Sequence, residues 1–411
     1  MRADLGRVGR GDLTRLWSVA APLLVYCLGL LCLACCDMLI GKWYPDRDIA
    51  AWAVIRSIVA IGGVFCITGF DQLLMREREI SRQLLRLLLI QIPILALIFA
   101  IIICWMGVLG DISSFAAAAS GGAISIAMSN YFRSHRLNVR SQIAQQWWKI
   151  AAFIVIMAAY FSSIKLEIDY LIIISMSISV FLTVIMFFIP IIRNKTCEIR
   201  GIGYIYSGGF RAMAMAIFMN LSMFGENILV EILSQASDTA VYFIHFTYFC
   251  LPMSIVSGYA AFFLATFIRD NPEKYFSFIS KYKIYFLLLF VVLFASCLVA
   301  GALGWKLIGV DRRVDWVLAS VLVINSLLRA YYVGPAQYVA LFFDNINYDK
   351  IILYQILSLI LSLIILLFFL FVTKMDVLYS VALASLMNNI FRFFYANIKT
   401  LRFNRDLHNE E

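Results

Sequence analysis

An all-α polytopic membrane protein, with about twelve transmembrane helices in two six-helix lobes, is the fold class this sequence predicts. Three observations carry that expectation. Of 411 residues, 63% are apolar and 14% are charged, against roughly 45–50% apolar and about 25% charged in ordinary soluble domains. The mean hydropathy of +0.88 points the same way. The apolar residues also fall in continuous runs of the length that crosses a hydrocarbon core, without the period-two alternation of barrel strands. Soluble enzymes, disulfide-stapled secreted domains and disordered scaffolds are thereby excluded.

Taken in order, the first predicted span runs from Leu16 to Ile40, behind Arg2, Arg7, Arg10 and Arg15. It is too long for a signal-peptide apolar region and lacks a small-residue cleavage site, so it is expected to remain as a helix. The next five run from Ile49 to Leu74, Leu84 to Val108, Ile112 to Phe132, Ile143 to Phe161 and Ile168 to Ile192. The fourth span is rich in Ala, Gly and Ser around Ala116 to Gly122, a composition that suits close helix packing more than lipid contact. The second six run from Ser207 to Leu233, Thr239 to Ile268, Ile284 to Leu307, Val314 to Phe343, Ile351 to Val372 and Val377 to Ile398. The division predicts an N-terminal lobe over residues 1–200 and a C-terminal lobe over 201–411, with the basic stretch Arg193 to Arg200 as linker. A faint repeat, Ile80-Ser81-Arg82 before the third span and Ile279-Ser280-Lys281 before the ninth, fits two halves of the same orientation.

Loop charge gives the orientation. With the N-terminus cytoplasmic, the inner segments carry 22 Lys and Arg and the outer ones 7, which places both termini in the cytoplasm. The net charge of +9 is therefore mainly an orientation signal, and no nucleic-acid partner is expected. Arg312 and Arg313, beside Asp315, interrupt the pattern on the outer side. Eight of the nine cysteines lie within spans, and none has the spacing of a disulfide framework or metal site. The loops are too short for a catalytic domain and contain no G-x-x-x-x-G-K-[ST] phosphate cradle, so neither enzyme activity, nucleotide-driven pumping nor a cofactor is expected.

Charges inside spans are costly, about 2.5–3.5 kcal/mol each at the bilayer centre on insertion scales, and so mark function by default. Asp37, Asp71, Arg211 and Glu231 fall near span ends, where side chains reach the interface; Arg56, Lys149, Glu226, Arg329 and Arg392 fall deeper. Asn325 and Arg329, and likewise Asn388 and Arg392, are four apart, so each pair projects from one helix face with aromatic residues beyond it. Four deep cations (Arg56, Lys149, Arg329, Arg392) against the single deep carboxylate Glu226 predict a lumen that attracts anions, and guanidinium groups match phosphate oxygens. Glu226, with Asp71 and His245 as lesser candidates, is the expected point of ion coupling, although Glu226 pairing with a lumen arginine is an equal alternative.

Several segments resemble the polysaccharide (O-antigen-type) flippases of the multidrug/oligosaccharidyl-lipid/polysaccharide exporter superfamily. They are Gly69-Phe70-Asp71-Gln72-Leu73-Leu74-Met75-Arg76-Glu77, Tyr131-Phe132-Arg133-Ser134-His135-Arg136, and Asn220-Leu221-Ser222 through Glu226-Asn227-Ile228-Leu229-Val230 followed by Ala240-Val241-Tyr242. Glu226 and Asn227 stand where the family pattern has Asp and Arg. The resemblance implies a lumen open alternately to each side, with cationic residues meeting a lipid-linked pyrophosphate oligosaccharide. The expected function is translocation of an undecaprenyl-pyrophosphate-linked repeat unit across a bacterial inner membrane. It would act as a monomer among membrane lipids, driven by the membrane potential or by proton or sodium coupling. A cation-coupled multidrug exporter of the same fold and a membrane-embedded glycan polymerase or ligase are the alternatives.

Overall fold

The computed structural model describes residues 10–76, 79–185, 201–270, 283–310, 312–342 and 345–410. Every described element is helical. In chain order these are α1 (Arg10–Trp43), α2 (Asp46–Ile67), the short α3 (Phe70–Arg76), α4 (Ser81–Trp105), α5 (Ile112–Ser134), α6 (Asn138–Phe161) and α7 (Ile168–Thr183). They continue as α8 (Ile202–Leu233), α9 (Ala236–Asp270), α10 (Lys283–Ile308), α11 (Trp316–Phe342), α12 (Asn345–Leu367) ending in a π-turn over Phe368–Val372, and α13 (Val377–Glu410). Among the described residues, ten helices are long and apolar enough to cross a membrane; α8, bent by 60° between Ser222 and Phe224, makes an eleventh. The described part of α7 has 16 residues and occupies the position of the sixth expected span. The second expected span divides into α2 and α3, because Thr68 and Gly69 both turn to positive φ. The basic stretch 193–200 and the Ile279-Ser280-Lys281 segment lie outside the described residues.

Burial sorts the helices by role. In α2, 83% of the apolar window is buried, whereas in α10 the share is 17%. Leu288, Leu289, Val291, Val292, Val299 and Leu303 of α10 are exposed, which suits lipid as the solvent. Helices α1, α2 and α4 to α7 pack chiefly on one another, as do α9, α11 and α13. The two sets meet through α2 against α8 and α9, and through α1 against α9. One continuous apolar core runs through both, from Leu33 and Trp52 to Val323 and Val381.

Two glycines permit backbone contact at this density. A Cβ on Gly122 of α5 would strike the Val59 carbonyl of α2, so the small-residue stretch of α5 does pack closely. Gly69, at φ 76°, turns the chain into α3 and lies against the Gly209 carbonyl of α8, where any side chain would collide.

Candidate functional site

Two buried ionic clusters are each assembled from several helices. The first joins α1, α2, α6 and α9. Asp37 of α1 accepts a hydrogen bond from Trp52 Nε1 at 2.8 Å and forms an ion pair with Arg56 through its other oxygen. Trp52 and Arg56 are four apart on α2, so one helix face delivers both donors. Asp37 was expected near a span end, and it lies six residues before the end of α1; its side chain is nevertheless enclosed by protein, 1% exposed, and is a second buried carboxylate. The Arg56 guanidinium, 23% exposed, lies 5.5 Å from the centre of the Phe243 ring, which belongs to α9 across the packing seam. Lys149 of α6 donates to Gln146 Oε1 at 2.6 Å and lies within electrostatic reach of Arg56 and Asp37. Two cations thus share one carboxylate.

The second cluster joins α8, α9, α11 and α13 around Glu226. Its Oε2 accepts the Tyr242 hydroxyl at 2.7 Å, and its Oε1 accepts Asn325 Nδ2 at 2.9 Å. Arg329 and the Ser385 hydroxyl close on the same Oε1. Ser385 Oγ in turn accepts Asn325 Nδ2 at 2.9 Å and Arg329 at 3.0 Å. Asn389 Nδ2 donates to Asn325 Oδ1 at 2.6 Å. Arg329 also reaches the Ser222 carbonyl, at the bend of α8, at 3.3 Å. Four donors converge on one carboxylate and hold it in place, and the side chains of Arg329 and Glu226 are only 9% and 7% exposed. The Glu226–arginine pairing expected as one alternative is present, with Arg329 as the partner.

The expected i, i+4 faces meet these clusters unequally. Asn325 and Arg329 of α11 both engage Glu226. On α13 the residues that join them are Ser385 and Asn389, while Asn388 and Arg392, each three residues further on, point about 60° to one side. Asn388 Oδ1 is buried without a hydrogen-bond partner among the described residues, and Asn388 lines a cavity of about 40 Å³ between α8, α12 and α13, with Ser222, Glu226, Ser362 and Ser385. Arg392 is 2% exposed, and none of its three guanidinium nitrogens has a hydrogen-bond partner among the described residues. Its guanidinium sits 4.4 Å from the centre of the Tyr332 ring, whose hydroxyl accepts Gln355 Nε2 at 3.1 Å.

The remaining candidates lie elsewhere. Asp71 lies in the first turn of α3, with one carboxylate oxygen lacking a hydrogen-bond partner among the described residues and Arg133 of α5 as the neighbouring charge. The first two family-like segments therefore meet through α3 and α5. His245 lies one turn beyond Tyr242 on α9, bonded to Asp315 and Val241 and not to Glu226. Arg211 pairs with Asp349 at 3.2 Å, both well exposed. Among the described residues no group of His, Cys, Asp and Glu could hold a metal ion. Tyr242 lies in one of the family-like segments, whereas Ser385 and the pairing of Asn389 with Asn325 were not singled out by sequence. Adjacent asparagines in an apolar span are the one signal that could have drawn attention to Asn389.

No protein-family model and no curated protein matches the chain. Solved structures do. A MATE (multidrug and toxin extrusion) transporter in complex with MaD3S superposes with a TM-score of 0.60 at 13% identity, over 94% of this chain and 96% of that one. A transporter of the MOP superfamily from Pyrococcus furiosus, whose description notes a binding pocket of reversed polarity, gives 0.59 at 12% identity, over 93% and 95%. An outward-facing multidrug-resistance MATE transporter of the same superfamily gives 0.56 at 12% identity, over 94% and 96%. At near-complete coverage of both chains, the helices of this protein adopt the fold of the MATE transporters of the MOP superfamily.

Proposed function

We propose that this protein is an alternating-access transporter that moves an anionic, lipid-linked oligosaccharide across a bacterial inner membrane, with both termini cytoplasmic and the six-helix halves 1–200 and 201–411 as its moving bodies. The observation that carries the reading is the cation excess left after the buried ion pairs form. Asp37 pairs with Arg56 and Glu226 with Arg329; among the described residues Lys149 bonds only the neutral Gln146 and shares Asp37 at longer range, and Arg392 has no carboxylate partner. An uncompensated guanidinium held out of water costs several kcal/mol. Pyrophosphate oxygens would supply the missing acceptors bidentately. Outward movement of each net negative charge gains about 2.3 kcal/mol per 100 mV in an inside-negative cell, so the potential alone favours that direction.

The fold neighbours favour a second reading, a cation-coupled multidrug exporter, and the carboxylates buried in each helix set, Asp37 and Glu226, would be its natural cation ligands. One experiment separates the two. In proteoliposomes holding a fluorescent polyprenyl-pyrophosphate saccharide, leaflet-specific labelling measures flipping, and uptake of a cationic dye measures drug transport. The proposal expects flipping that Lys149→Ala and Arg392→Gln each reduce at least tenfold. Dye transport that depends on Asp37 and Glu226, with no flipping, would overturn it.

A further inference from the structure

The bundle end that carries the α1–α2 and α10–α11 connections holds a set of contacts unrelated to the two buried ionic clusters. The four residues Arg312 to Asp315, which lead into α11, are tied at three points. The Arg312 guanidinium forms an ion pair with Asp46 in the first turn of α2, joining the two helix sets. The Arg312 carbonyl accepts Trp305 Nε1 of α10 at 2.9 Å. The Asp315 backbone N–H donates to His245 Nε2 of α9 at 2.9 Å.

The chemistry of the third tie is specific. His245 Nδ1 lies 2.8 Å from the Val241 carbonyl, which can only accept, so Nδ1 carries the proton. The Asp315 N–H can only donate, so Nε2 must present its lone pair. The ring is therefore neutral in this arrangement, 1% exposed and packed 4.9 Å from Trp305. The Asp315 side chain is committed elsewhere. Its Oδ1 caps α11 through the N–H groups of Val317 and Leu318 at 3.0 Å each, and its Oδ2 accepts the Tyr379 hydroxyl of α13.

We propose that His245 is a proton-operated latch whose neutral form holds the Arg312–Asp315 strap, and with it the Arg312–Asp46 bridge, closed at this end of the molecule. A proton taken from solvent onto Nε2 sets one N–H against another, so the Asp315 N–H bond is lost. The imidazolium then draws the Asp315 carboxylate, which must leave the α11 cap and Tyr379 to reach it. Both consequences loosen the strap. The charged and titratable groups facing the ring are Asp315 and Arg312 on the strap, Tyr379 of α13 through Asp315, and Asp46 of α2 through Arg312. Carboxylate, guanidinium and phenol groups ordinarily keep their charge between about pH 5 and 8, whereas imidazole changes within it. The latch does not depend on which substrate is carried.

Hydrogen–deuterium exchange of the full-length protein in detergent tests the latch, read on peptides covering the strap and the start of α11 and corrected for the intrinsic pH dependence of exchange. Wild type should lose protection by roughly tenfold, the worth of one hydrogen bond, between about pH 7.5 and 5. His245→Gln, whose amide oxygen can accept the Asp315 N–H at any pH, should show no change. A flat wild-type profile, or the same loss in His245→Gln, overturns the latch. Should that variant not fold, wild-type fluorescence decides: an imidazolium beside Trp305 quenches the indole, so a pH-dependent drop that is absent in Trp305→Phe must share the midpoint of the exchange change. Differing midpoints would equally overturn the proposal.

Discussion

The two buried ion pairs are chemically alike and built differently. Glu226–Arg329 is closed: four donors converge on the carboxylate, and the donors and acceptors around it are knitted from α8, α9, α11 and α13. Asp37–Arg56 is open: its arginine is partly exposed at the seam between the helix sets, a second cation stands beside it, and an aromatic ring of the opposite set covers it. The same charges in a saturated setting make a strut, and in an unsaturated setting they leave capacity for a ligand. The difference lies in how many neutral donors surround each carboxylate.

The largest effect should come from breaking the closed pair. Glu226→Ala strands Arg329 without its counter-charge, and the loss of one partner of a buried pair costs about 3–5 kcal/mol. Thermal unfolding in detergent should register it as collapse of the folded fraction, with Glu226→Gln milder because the amide keeps an acceptor. A Glu226→Gln protein that transports normally with unchanged pH dependence would make the pair purely structural; altered pH dependence would restore it as a coupling site. The double variant Glu226→Ala/Arg329→Ala should recover part of the loss, a coupling that a double-mutant cycle measures directly.

Next in size is the open pair. Asp37→Asn leaves Arg56 and Lys149 with no carboxylate among their described partners, so stability should fall, by less than for Glu226→Ala because Arg56 reaches solvent. Binding of inorganic pyrophosphate, measured by isothermal titration, should tighten, since a competing internal anion has gone. Weaker binding would count against an anion site there.

Gly69→Ala should cost about 1–3 kcal/mol, the usual price of a strained left-handed position, with the Gly209 contact adding to it. Its expected signature is lower thermal stability without a change in ligand affinity. The smallest stability effect belongs to Arg392→Gln. Removing a buried charge that lacks a counter-ion is neutral or stabilising by about 1 kcal/mol, while transport should fall. A large destabilisation would mean that Arg392 is a strut like Arg329.

Much of this was legible from the chain alone because it depends on local rules. The helix positions follow from runs of apolar residues, and the shared face of Asn325 and Arg329 follows from helical periodicity. The assembly of the clusters was not legible, because it depends on the relative rotation and depth of helices far apart in sequence. Asp37 read as an interfacial acid since it falls late in its span, yet α2 and α6 enclose it. Asn388 read as sharing a polar face with Arg392, and nothing in the sequence marked its neighbour Asn389 as the one turned toward Asn325. His245 read as a lesser ion-coupling candidate on the span after that of Glu226, and one helical turn beyond Tyr242 carries it to the strap instead.

The sequence by itself determined that this chain lives in lipid, where its helices lie and how many cations they bury, since hydropathy and charge are summed along one dimension. Only the tertiary structure decided which cations are neutralised and which are left over. Pairing is a matter of ångströms between helices, and a charge acquires its meaning from the donors and acceptors that packing brings within reach.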